Sequence, residues 1–280
     1  LQSGASIVSN SSGSGGDGGD ITIQAGGDVT LESSSLLFQS RISTATGGIN
    51  LPGIIDTTGN TGKGGDIKII SNSLILKNYA QIFASTFGEG DAGNINVEVT
   101  DSVIGKGTSS FLSSLTDGVG DAGKITINAG NRVTFDGIGN GINTGTLQKG
   151  QGSDIEITTS SLTLSNSASL FTSTNGEGNG GSIQVNASDF VVLNENSTLN
   201  SAALEDSTGE PGNIEVKTAS LLVNNDAQVT VESQGEGSGG NLFIEADSLT
   251  LDRNGSINAS TVSGTGGNIT LLADILILTQ

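Results

Sequence analysis

The sequence predicts an all-β chain, a right-handed three-faced parallel β-helix of about nine coils. Three observations predict it. A unit of about thirty residues returns along nearly the whole chain. Each copy opens on a Gly, usually an Asp or Asn, and two aliphatic residues flanking a variable one, as in Gly65-Asp66-Ile67-Lys68-Ile69 and Gly212-Asn213-Ile214-Glu215-Val216. The first aliphatic recurs at intervals of 27 to 31 residues in seven of eight cases, which suits stacked coils and is far too short for a sandwich module. Within each unit, aliphatic residues alternate with polar ones at period two, as strands require.

Each unit holds three short strands. The first is the restart itself, clearest as Ile155-Glu156-Ile157; the second is Leu162-Thr163-Leu164; the third is Leu170-Phe171-Thr172. The same order recurs at Ile67 to Ile69, Leu74 to Leu76 and Ile82 to Ala84. Strands this short are unstable alone, but stacking pairs each with its equivalent in the next coil and lines the aliphatic residues up in columns. The right-handed crossover rule for parallel strands sets the expected hand.

The corners follow from turn chemistry. Gly fills eight of the nine positions two before the first core aliphatic, and Asp or Asn seven of the nine that follow. Gly there is expected to supply a positive φ. Asn78, Asn166 and Asn225 mark a second corner, where Asn tolerates the left-handed region and can form a ladder.

One interval is long, with 46 residues between Ile21 and Ile67. Placing the third strand of that coil at Ile54 puts the extra length at residues 36–52, Leu36 to Pro52, as a projecting loop or hairpin. Residues 1–280 are otherwise one continuous segment without a domain boundary. Leu1 to Ser9 read as a third strand and Ile275 to Leu278 as a second strand, both uncapped. Further coils in a longer parent, or end-to-end association of the isolated chain, are therefore expected.

Composition excludes several functions. The net charge is −19, from twenty-nine acids and ten bases, so nucleic acid and anionic membrane surfaces are disfavoured as partners. No stretch approaches a membrane span. With neither His nor Cys, the usual zinc sites and the Ser-His-Asp and Cys-His nucleophile systems are excluded. Carboxylate chemistry on polysaccharides is the remaining enzymatic alternative, as a lyase or glycosidase, and its candidate place is the insertion around Arg41. No pair of converging acids with a nearby base is visible, so a catalytic role is not expected.

Acids gather before the restarts, at Glu89, Asp91, Asp117, Asp121, Glu177, Glu210 and Glu236. Stacking sets them along one ridge, a solvated edge with at most weak Ca²⁺ binding; no other cofactor is expected. At the middle of the third strand, Phe83, Leu112 and Phe171 are expected to face outward as a contact stripe for a partner or a glycan ring. Outward Thr on the second strand, at Thr30, Thr134, Thr163 and Thr250, is interrupted by Ile75, Ile104, Val192 and Leu222, so no flat Thr array forms.

The units Gly18-Gly19-Asp20-Ile21-Thr22-Ile23, Ser161-Leu162-Thr163-Leu164-Ser165 and Ile257-Asn258-Ala259-Ser260-Thr261 together resemble the filamentous haemagglutinin-like exoproteins, particularly those of cyanobacteria. The resemblance spans almost the whole chain and its motifs are structural. It implies a secreted or cell-surface adhesin of the two-partner route, exported through an outer-membrane partner. It implies attachment to polysaccharides or cell-surface receptors, or the display of distal modules. It carries over no catalytic residues.

Overall fold

A computed structural model of the chain describes residues 1–2, 4–11, 15–46 and 61–279. Among the described residues the regular structure is entirely β, without a helix, and every strand pairing is parallel. The turn that begins at Ile67 shows the plan: Ile67–Ser71, Leu74–Lys77, then Gln81–Phe83. First and second strands share one sheet, and the third strands form a separate nine-stranded sheet. From Ile155 onward the first two strands run together as single bent strands, Ile155–Ser165, Ile183–Leu193, Ile214–Asn224 and Leu242–Asp252.

The chain is thus a β-solenoid, as the period predicts. It makes about seven regular turns between Ile67 and Ile269. The expected nine counted the irregular turn opened at Ile21 and the restart at Ile269, after which no third strand is described.

Register explains the core. Ile67, Ile95, Ile125, Ile155, Ile183, Ile214 and Leu242 lie opposite one another in consecutive turns, and all are buried. Leu74, Val103, Val133, Leu162, Val191, Leu221 and Leu249 form the matching column on the second strands. Each turn buries its apolar side only because neighbours cover it, so cohesion is a nearest-neighbour property.

The third strands add a polar layer that the alternation alone does not reveal. Ser114, Thr172 and Ser201 are buried and donate to the carbonyls of Gly93 at 2.8 Å, Gly181 at 2.6 Å and Gly212 at 3.2 Å. Further along the same strands, Thr46, Thr146, Thr174 and Ser233 donate to Gly62, Gly150, Gly178 and Gly237. These hydroxyls donate to loop carbonyls that face inward. They tie the third strands to the restart loops, most to the loop that leads into the next restart and Ser114 to the loop before its own turn.

Three expectations are corrected. The irregular turn takes Arg41–Ser43 as its third strand, in register with Ser6–Val8 and Gln81–Phe83, so Arg41 lies on the sheet rather than on a projecting loop. Of the predicted 36–52 insertion, only residues 36–40 remain a connection within the described residues. Its remainder beyond Thr46, together with Ile54, lies outside them. The restart glycines do not adopt positive φ. They are required by close approach: a Cβ on Gly93, Gly123, Gly212 or Gly267 would come well under 3.0 Å from the carbonyl of the equivalent Gly one turn earlier. The left-handed corner does form, at Asn78 (φ 46), Asn166 (φ 53) and Asn225 (φ 51). Its amides link turns, as from Asn225 Nδ2 to Asn194 Oδ1 at 2.7 Å.

Candidate functional site

The third-strand face carries most of the residues singled out for contact. Phe83 and Phe171 are half-buried and outward, on the same row as Ser43, Ser113, Asn143, Asn200 and Thr230. Leu112 is not on this row. It lies opposite Ile82 and Ile142 and is fully buried. In Phe111-Leu112 two apolar residues are adjacent, so alternation leaves the phase open, while the repeat offset from Ile82 through Leu112 to Ile142 fixes it. Phe111, unforeseen, is the outward residue of that pair. It lies opposite Gln81, in the row that includes Arg41.

Phe171 lies between two amides. Asn143 lies opposite it on one side and Asn200 on the other, and the Oδ1 of each is buried without a hydrogen-bond partner. Arg41 and Phe83 share the outward face two positions apart on adjacent strands. Preceding Arg41, Leu36, Leu37 and Phe38 are 63%, 82% and 58% exposed.

The acidic edge is a scaffold feature. Asp20, Asp66 and Asn94 each accept, through a side-chain oxygen, the backbone N–H of the equivalent residue in the next turn, at 2.8, 2.7 and 2.9 Å. Asp154, Ser182, Asn213 and Asn241 repeat the pattern. Three residues earlier in the loop a second ladder runs from Asp91 to Asp121 N–H, Asp121 to Gln151 N–H and Asn179 to Glu210 N–H. Asp91 also pairs with Lys63 at 2.7 Å. The Lys63 ammonium and the Asp121 N–H hold the Asp91 carboxyl below the usual carboxylate range. Among the described residues no three acids converge as a metal site.

A concave groove lies where the first strand bends into the second. Its floor is a column of small residues, Thr159, Ala187, Thr218, Ala246 and Ala273, in register over five turns. One wall is Thr158, Asn186, Lys217, Glu245 and Leu272; the other includes Ser188, Ala219, Asp247 and Asp274. It is open to solvent along its length, with a volume of about 860 Å³. Register shifts at Thr159–Ser161 and Ala187–Phe190 mark bulges at the bend, which turn side chains out of the ladder. Lys217 pairs with Glu215 at 2.7 Å and stands 5.9 Å from the centre of the Phe243 ring. The Glu215 carboxylate raises its pKa, so it stays charged and neutralised. That leaves Glu245, Asp247 and Asp274 exposed at the groove. Nothing in the sequence signals this site, because hydroxyls and alanines at a bend carry no motif.

Comparison of the chain with protein-family models, curated proteins and solved structures finds no match.

Proposed function

We propose that the chain is a shaft of a secreted or cell-surface protein resembling the filamentous haemagglutinin-like exoproteins, one that attaches to surface polysaccharides or receptors or holds distal modules away from the cell. The observation that carries this reading is the repetition itself. Outward positions recur at every turn, about 4.8 Å apart, so a partner meets a row of similar weak contacts whose avidity exceeds any one of them. Phe171 supports it at a single position, as a half-buried aromatic ring on the outward row between two amides. Export through an outer-membrane partner belongs to the same reading and rests on the resemblance.

The test is depletion of the protein by a panel of immobilised cell-surface polysaccharides, scored together with release of new sugar ends. Depletion without release is expected, and a variant combining Phe83→Ser with Phe171→Asn should bind more weakly while melting no lower. Release of sugar ends would replace the shaft with a polysaccharide-active enzyme.

A further inference from the structure

We propose that the corner formed by Leu36, Leu37, Phe38 and Tyr79, with Arg41 at its base, seats in the interface of a zwitterionic phospholipid surface. The proposal goes beyond the shaft reading and does not depend on it. Local geometry is the first argument. Glu32 lies opposite Lys77 and Arg41 opposite Gln81, so residues 33–40 span a corner that the next turn closes with residues 78–80 alone. The stem of this longer loop is fixed. Ser40 N–H donates to Ser33 Oγ at 2.7 Å, Ser40 Oγ to Glu32 O at 2.8 Å and Phe38 N–H to Ser35 O at 3.2 Å. Ser33 and Ser40 are buried, and Phe38 rests against Gly4 of the preceding turn, where an added Cβ would lie 3.6 Å from Phe38 Cα. Above this stem three consecutive apolar side chains, 58–82% exposed, project into solvent. Single exposed apolar residues are ordinary, whereas a contiguous set on a projecting loop marks a contact.

Tyr79 is the second argument. It closes the same corner one turn on, with φ 60, in the left-handed region that bulky side chains avoid. Later turns place Ser167, Asn196, Asp226 and Asn254 there, at φ 59 to 64, all small and polar. An aromatic residue does nothing for the corner itself. It sets a phenol beside the apolar tip, as Tyr is used at the headgroup level of a bilayer.

Charge decides what lies opposite. The stretches 1–16, 33–46 and 71–88, from which this corner and its neighbouring strands are drawn, contain Arg41 and Lys77 and no acid, in a chain with twenty-nine. Lys77 pairs with Glu32 at 3.4 Å, while Arg41 has no carboxylate partner among the described residues. A guanidinium at the base of an apolar tip complements phosphate groups above acyl chains. The net charge of −19 repels anionic bilayers from the rod as a whole, so the surface that fits is zwitterionic. The stem serines turn their hydroxyls inward, and the tip lacks the polar rim by which a protein partner is oriented.

The chain contains no Trp, so Phe38→Trp provides a fluorophore that reports this corner alone. Titrated with phosphatidylcholine vesicles, the Phe38→Trp protein should shift its emission to the blue and float with the lipid. Adding Leu36→Ser and Leu37→Ser should weaken partitioning roughly tenfold or more, and adding Arg41→Gln severalfold, with the melting temperature unchanged because none of these side chains lies in the core. Adding Tyr79→Asn should weaken partitioning while melting no lower, since Asn suits the left-handed corner better than Tyr. The proposal is overturned if no shift or flotation occurs at millimolar lipid, or if the double serine variant partitions equally well. It is also overturned if the fluorophore is already shielded without lipid and becomes exposed on dilution, which would assign the tip to a contact between copies of the chain.

Discussion

Gly93 and Gly26 are both glycines without positive φ, yet they should respond oppositely to Ala. A Cβ on Gly93 runs into the carbonyl of Gly65, whereas one on Gly26 meets nothing within 4 Å. Gly93→Ala must push two turns apart and should cost about 3 kcal/mol; Gly26→Ala removes only unfolded-state freedom and should be neutral or stabilising by up to about 1 kcal/mol. Chemical denaturation of both variants checks this, and equal effects would contradict a close-approach role. Asp91 yields a pH prediction. Its carboxyl is held below the usual range by Lys63 and Asp121 N–H, so its contribution is fully present above the ordinary carboxylate pKa and is lost as pH falls from there through the lower folded value. Asp91→Asn keeps an acceptor for Asp121 but loses the charge pair. Wild type should melt slightly higher than the variant near neutrality, the gap closing as pH falls below the ordinary carboxylate range. At this scale the sequence was legible in identity more than in reason. The glycine period was plain, but the proximity of backbones in adjacent turns has no local signature, and the phase of Phe111-Leu112 could be set only by comparison with other turns.

The strand columns were the most legible element, because aliphatic alternation and a fixed offset together place Ile67, Ile95 and Ile125 opposite one another. Volume matching along a column was not. Phe135, the largest fully buried side chain, lies opposite Gly105, and a Cβ on Gly105 would strike the Phe135 ring. One turn's missing side chain makes room for the next turn's large one, a packing rule that acts across a whole repeat of sequence. Gly105→Ala should therefore destabilise by crowding, and Phe135→Leu by leaving a cavity. The double variant should be more stable than the sum of the two losses by about 1 kcal/mol or more, since the smaller side chain at position 135 vacates the space that the methyl added at position 105 fills. Strict additivity in a double-mutant cycle would show that the two positions do not share this space. The groove belongs to the same lesson: it exists because bent strands stack in register, and only the assembled elements show which hydroxyls and carboxylates line it.

The whole molecule has a direction. Each Asx or Ser side chain in the edge ladder accepts an N–H from the turn that follows, from Asp20 with Asp66 at 2.8 Å to Asn241 with Asn268 at 3.1 Å, so the two end faces are not equivalent. Among the described residues no turn covers Ile269–Leu278, and Ile275 and Leu278 are 55% and 66% exposed. At the opposite face Ile7 and Val8 are 39% and 46% exposed. A face that offers unpaired strand and apolar columns is a template for another strand, and because the two faces differ, a contact between copies is head-to-tail and does not close on itself. We therefore expect the isolated 280-residue chain to form oligomers whose length grows with concentration in sedimentation velocity. Leu278→Pro is the informative variant. Thr279 N–H donates to Leu251 O at 2.9 Å, so by strand alternation the N–H of Leu278 faces away from the stack, and its loss costs no bond within one copy. The variant should melt like wild type yet stay monomeric; wild type that is monomeric at every concentration would show that the open face does not pair.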